Sequence, residues 1–232
     1  MAAIITEKFR QHNATQFFES FTEASASTYY LFVGKSTAYT SSTTGGSDSS
    51  PPTPSDSPSD TEFYAWDSML AAKNVTSADV SYAIPRRNWA NGDTYDMYDD
   101  DISSSSTATS GASNLYDSTF YFMTSDFRVY KVLDNNAGAA YSGAEPTSTS
   151  SSPFELGGYV LKYMYAITTS EAAKYLTSDF IPVSDDSTIS SAAVDGKIES
   201  LKITAGSSYT NGTYYAAVYG DGTSAGTSSG AI

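Results

Sequence analysis

Five aspartates crowd one short stretch, at Asp93, Asp96, Asp99, Asp100 and Asp101. Several carboxylate oxygens in one place suit a hard cation such as calcium. The run lacks the alternating ligand spacing, central glycine and closing glutamate of the helix-loop-helix calcium motif. It reads as a solvated acidic loop tip that holds no metal. Asp185-Asp186 reads as a turn. His12 is the sole histidine, so any Ser-His-Asp arrangement would depend on it, and no Gly-x-Ser-x-Gly elbow surrounds a serine. No phosphate-binding loop or dinucleotide fingerprint occurs. Cysteine is absent, which excludes disulfides, thiol catalysis and zinc–thiolate sites. Paired carboxylates for glycoside hydrolysis stay open on composition, because their separation is not visible in sequence. The reading is a non-enzyme that needs no cofactor.

The remaining chemistry sits in Ile84-Pro85-Arg86-Arg87-Asn88-Trp89. Proline fixes φ near −65° and biases Ile84 toward an extended backbone, so a strand end should lead into a rigid corner. Arg86 and Arg87 are two of only 12 cations and stand side by side, and Trp89 follows. Arginine and tryptophan often anchor protein–protein contacts. A guanidinium can grip a carboxylate through two parallel hydrogen bonds. Arg86, Arg87 and Trp89 are therefore the candidate interface or structural corner, set to hold a carboxylate-rich surface of this chain or of a neighbour. The plain alternative is a solvated arginine pair beside a core tryptophan.

Mostly strands should position that corner. Residues 6–22 predict a helix, with Ala14, Phe17, Phe18 and Phe21 on one apolar stripe. Tyr29 to Val33 reads as a buried strand closed by Gly34. A helix capped at Asp60 or Thr61 would place Phe63, Trp66, Met69 and Leu70 on one face. Val80, Tyr82 and Ile84 alternate toward Pro85. The clearest hairpin joins strands at about 118–124 and 127–133 near Ser125-Asp126, and another strand covers 158–168. Ser170 should cap a short helix running through about Leu176, and Phe180-Ile181-Pro182-Val183 resumes an extended path. Ser-, Thr-, Gly- and Pro-rich stretches at 36–60, 103–114 and 135–153 read as surface loops, with 41–58, 103–112 and 143–152 dispensable for the core. Lys197–Thr204 and Thr213–Tyr219 suggest strands around Asn211-Gly212 and Asp221-Gly222 turns. The expected fold is mainly β with a few short helices and long Ser/Thr-rich loops. A domain over 1–185 would be followed by a small β module over 186–232, which reads as cut short within that module.

Twenty-six acids against 12 bases give a net charge of −14, which disfavours nucleic acid as a partner. The 19 tyrosines suit half-buried strands and wet interfaces alike. No apolar run approaches a membrane span, and the N-terminus lacks signal-peptide regions. Without secretion, the Asn-x-Ser/Thr sites at Asn13, Asn74 and Asn211 carry no glycan meaning.

The corner resembles one in the baseplate wedge subunit of contractile-tailed, T-even-like phages. Ile4-Ile5-Thr6-Glu7-Lys8-Phe9-Arg10, Phe32-Val33-Gly34-Lys35-Ser36, Val129-Tyr130-Lys131-Val132-Leu133-Asp134 and Gly158-Tyr159-Val160-Leu161-Lys162-Tyr163-Met164-Tyr165 resemble further blocks of that family in the same order. The likeness spans roughly residues 4 to 183. It implies a β-sandwich decorated with helices, a structural role in the virion, a second copy as partner and other wedge proteins as neighbours. It also implies residence in the tail baseplate after assembly in the host cytoplasm. A tail-fibre or adhesin-like attachment protein, binding glycans or host receptors, is the competing reading for a tyrosine-rich β chain with polar loops.

Overall fold

A computed structural model describes residues 7–34, 38–39, 46–51, 53 and 67–194. The chain divides into two compact units, Met1–Tyr82 and Ala83–Ile232. The first part of the helix expected from a cap at Asp60 or Thr61 through Leu70, most of the 36–60 loop and the C-terminal strands after residue 194 lie outside the described residues.

In the first unit, helix α1 spans Glu7–Glu19. Strand β1 (Tyr29–Gly34) pairs antiparallel with β2 (Met69–Val75). Aromatic rings join helix to ribbon: Phe21 and Tyr29 lie 4.6 Å apart, Phe17 and Tyr29 5.4 Å, and Phe18 stacks on Tyr82 at 4.6 Å. Two expectations change here. Met69 and Leu70 belong to β2, not to a helical face: Met69 pairs with Gly34, Ala71 with Val33, and Leu70 sits at the register shift between them. Strand β1 is also exposed, with Tyr30, Leu31, Phe32 and Val33 between 44% and 65% accessible. A two-stranded ribbon has too few neighbours to cover both of its faces. After β2, Asp79 closes a 3-10 turn (Ser77–Asp79) by accepting the Thr76 N–H and hydroxyl, and it pairs with Lys73. That turn displaces the expected 80–84 strand, which begins only at Ala83.

The second unit is built on a four-stranded antiparallel sheet ordered β4-β5-β7-β6. Its strands are β4 (Tyr121–Met123), β5 (Arg128–Asp134), β6 (Phe154–Leu156) and β7 (Tyr159–Ala166). A separate pair joins β3 (Ala83–Pro85) to β8 (Phe180–Pro182). Helix α2 (Thr169–Tyr175) is capped by Thr168 and Glu171, two residues earlier than Ser170 would have placed it. Helix α3 (Ser187–Ala192) starts on Asp186, which accepts the Thr188 and Ile189 N–H groups. The Asp185-Asp186 turn thus serves as a helix cap, and Ile189 joins the core. The chain is mainly β with short helices.

Apolar alternation along β7 buries Tyr159, Leu161, Tyr163 and Tyr165. Two register shifts against β5 leave Met164 and Leu133 without ladder partners. Such bulges re-aim side chains, and here Tyr163 joins one buried cluster while Tyr165 joins the other. The core is unusually rich in phenols. Tyr121, Tyr130, Tyr141, Tyr159 and Tyr165 donate to the carbonyls of Pro85, Ser148, Ala144, Ala139 and Pro182 at 2.6–3.1 Å. Tyr163 donates to Asp186, and Tyr95 exchanges hydrogen bonds with Ala90. Buried hydroxyls need partners. Tyr130 and Tyr159 tie the 135–153 loop to the four-stranded sheet, and Tyr121 and Tyr165 tie that sheet to the β3–β8 pair. The 103–112 and 143–152 stretches, expected to be dispensable, contribute to the packing: they supply Ser110 to Asp96, the fully buried Pro146, and the Ser148 carbonyl.

Burial pushes Tyr95, Tyr130 and Tyr141 up to about 12. A phenol raised in the fold contributes stability that is intact below its unfolded value near 10. That contribution is lost as pH rises through the folded value. Phenolate absorbance from the buried set should therefore appear only well above pH 10, with cooperative unfolding toward pH 12. A single transition near pH 10 would contradict this core.

Candidate functional site

Pro85 ends β3, and its carbonyl accepts the Tyr121 hydroxyl at 2.6 Å. The next three residues run beside β4. Met123 donates its N–H to the Arg87 carbonyl at 2.7 Å, and Trp89 donates to the Met123 carbonyl at 2.8 Å. These two bonds make a parallel bridge between Asn88 and Met123, which pins the corner to the edge of the sheet. The rigid corner expected from proline is thus held by backbone hydrogen bonds on both sides.

Extended backbone sends successive side chains to opposite sides, and the two arginines diverge accordingly. Arg86 donates from its backbone to the Asp179 carbonyl, from Nε to Asn88 Oδ1 at 3.0 Å and from Nη1 to the Thr177 carbonyl at 2.9 Å. Arg87 donates from Nη2 to the Tyr116 carbonyl at 2.9 Å, and its guanidinium lies 5.6 Å from the Tyr121 ring centre. Neither arginine pairs with a carboxylate among the described residues, unlike Lys73 with Asp79 and Arg128 with Asp126. Trp89 meets Tyr141 edge-on at 5.8 Å and packs against the first core cluster. Its indole N–H, like Arg87 Nε, is buried without an acceptor among the described residues. The half-buried Arg87 thus fastens the corner to the 116–121 segment. Arg87→Ala should lower stability by about 2 kcal/mol, the loss of one charged hydrogen bond and its stacked contact. Chemical denaturation would read this, and a change below about 0.5 kcal/mol would mean that the arginine is merely solvated.

An open cleft of about 380 Å³ lies beside the corner, lined by Arg86, Asn88, Trp89, Met123, Thr124, Ser125, Phe127 and Glu145. Its far wall comes from the β4–β5 turn. There Phe127 N–H bonds the Thr124 carbonyl, and Arg128 N–H bonds Thr124 Oγ1. Glu145 accepts both the N–H and the hydroxyl of Ser125 at 2.6 Å. Phe127 has φ of 60°, a left-handed value that glycine or asparagine normally occupies at this kind of turn. Sequence reading named the arginines and the tryptophan but missed Phe127 and Glu145. The Ser125-Asp126 turn signal gives no hint that a phenylalanine follows in that conformation.

Among the described residues no group of three or more His, Asp or Glu side chains is placed to hold an ion. Asp96 is buried and receives Ser110 N–H and Oγ, Ser118 Oγ, and Thr119 N–H and Oγ1 at 2.6–3.1 Å. Burial alone would raise this carboxyl, but those donors outweigh it and hold it below the ordinary aspartate range. Asp99 instead accepts the Asp101 N–H, while Asp100 and Asp101 are exposed. His12 is exposed on α1.

Residues 3–150 match the family model described as Bacteriophage T4, Gp8. This chain belongs to that family. It is a baseplate wedge protein of the T4 type, a structural component of the phage tail. The matched residues cover well over half the chain and include the whole corner, the β4–β5 turn and Glu145. They stop before β6 and β7, so the 158–165 block of the expected likeness lies beyond the match. No curated protein matches the chain. No described helix is long and apolar enough to cross a membrane.

Proposed function

We propose that this chain works by geometry, joining other wedge proteins through protein–protein contacts and catalysing no reaction. The observation that carries this is the Gp8 family match across residues 3–150. The surface supports it, since Tyr30, Leu31, Phe32, Val33 and Leu70 of the ribbon are largely exposed. Exposed apolar side chains gathered on one ribbon of a protein this acidic are a feature of contact sites. Pairing with a second copy, and assembly in the host cytoplasm before residence in the tail, belong to the same proposal. The acidic surface gives nucleic acid no purchase.

Cross-linking of intact tails followed by mass spectrometry tests this reading. Links to a second copy and to other baseplate proteins are expected. Links confined to receptor-binding or capsid proteins would overturn it and favour an attachment role.

A further inference from the structure

We propose that the cleft beside the corner receives an extended segment of a partner protein carrying an aspartate or glutamate next to an apolar side chain. The inference rests on the baseplate reading and names what this site takes. Arg86 supplies the charge. Its Nε and one Nη1 bond are fixed on Asn88 and the Thr177 carbonyl, and the rest of the fork meets no acceptor among the described residues. Those two bonds orient the guanidinium in advance, so little side-chain freedom is lost when a carboxylate arrives.

Glu145 shares the cleft, but both of its oxygens are already engaged by Ser125. Arg86 is therefore the charged group with donors to spare. Trp89, Met123 and Phe127 supply the apolar lining. Phe127 adds an independent indication. A phenylalanine held at φ 60° is strained relative to glycine, and strain of that kind persists where the surrounding structure enforces it and clusters at binding sites. Charge complementarity selects the occupant. A chain of net charge −14 repels acidic partners over most of its surface. A carboxylate is admitted where an oriented cation lies against a partly dry lining, which gives specificity through the surrounding repulsion.

Only Trp66 and Trp89 contribute indole emission, so the full chain carrying Trp66→Phe reports the cleft through Trp89. The probes are the blocked peptide acetyl-Gly-Phe-Asp-amide and its asparagine isostere. A saturable change in Trp89 emission is expected with the aspartate peptide, and binding at least ten-fold weaker with the asparagine peptide. Arg86→Gln should abolish that discrimination. The peptide pair tests the unaltered cleft even if Arg86→Gln folds poorly. Equal binding of both peptides, no response to either, or discrimination that survives in a folded Arg86→Gln protein would each overturn the assignment. Incorporation of the parent chain into wedges is scored in parallel. Incorporation without peptide discrimination sinks the cleft and spares the baseplate reading, whereas absent incorporation sinks that reading itself.

Discussion

Asp96→Ala should lose about 3–5 kcal/mol of stability and lower the denaturation midpoint sharply. The carboxylate is 1% accessible and gathers donors from Ser110, Ser118 and Thr119, which come from two segments without strand structure. Removing it strands buried N–H and O–H groups, each costing about 1–3 kcal/mol, though the losses are not additive. Asp96→Asn should fall between the two, because its amide replaces one acceptor oxygen by a donor.

The same site sets an acid limit. Its folded value is depressed, so its contribution is complete above the unfolded value of about 3.9 and is lost as pH falls through the folded value. Glu171 acts in the same sense. The Ser184 hydroxyl holds it down most strongly, burial opposes, and the Thr168 cap adds to the lowering. Thermal melting should therefore be flat near neutrality and decline below about pH 4, with a shallower decline in Asp96→Asn. A stability loss for Asp96→Ala under about 1 kcal/mol would mean that the 103–119 segment folds without this anchor.

Gly157→Ala should be comparably severe, at about 2–5 kcal/mol. Gly157 and Gly158 form the two-residue turn between β6 and β7, with φ of +63° and +85°. Both values are left-handed, as a type I′ hairpin requires. A Cβ at Gly157 would stand 2.5 to 2.8 Å from Cζ, Cε1 and Cε2 of Tyr141. That ring is buried and fixed by its hydroxyl on the Ala144 carbonyl, so it has nowhere to retreat. Overpacking costs about 1–3 kcal/mol and the left-handed backbone about 1–2 more. Gly111→Asn provides the control, because its φ is +88° but nothing lies within 4 Å of an added Cβ. It should cost under about 1 kcal/mol. Equal losses at the two positions would show that backbone conformation, not the tyrosine, dominates at Gly157.

Much of the second unit was legible. The β4–β5 hairpin, the β7 strand and the extended 180–182 segment follow from apolar alternation and turn residues, which act over a few positions. The short helix after β7 was also legible, but its start was misplaced, because Ser170 and Thr168 both suit a cap and only the Glu171 geometry chose between them. The Gly157-Gly158 hairpin signal was present and unused, so β6 was missed. Of the candidate site, the proline corner and the arginine pair could be named from sequence, while the opposite wall could not.

By itself the sequence determined composition-level facts: a mainly β chain, strongly acidic and without thiols, whose ordered motif blocks resemble a baseplate family. Tertiary structure decided which apolar residues are covered. Tyr29 to Val33 and Tyr159 to Tyr165 are both apolar and tyrosine-bearing, yet the first run is exposed in a two-stranded ribbon and the second lies in the sheet between two clusters. Tertiary structure also decided that polar loops are structural. Asn135 Nδ2 donates to the Tyr95 carbonyl, and the Tyr95 N–H to the Tyr159 hydroxyl, across 40 and 64 residues of chain. Propensity and periodicity are local quantities, whereas burial and hydrogen-bond partners belong to the pairing of distant segments. A phenol's apolar ring can be read from the chain, but the carbonyl that its hydroxyl needs is supplied only when the loops fold back onto the sheet.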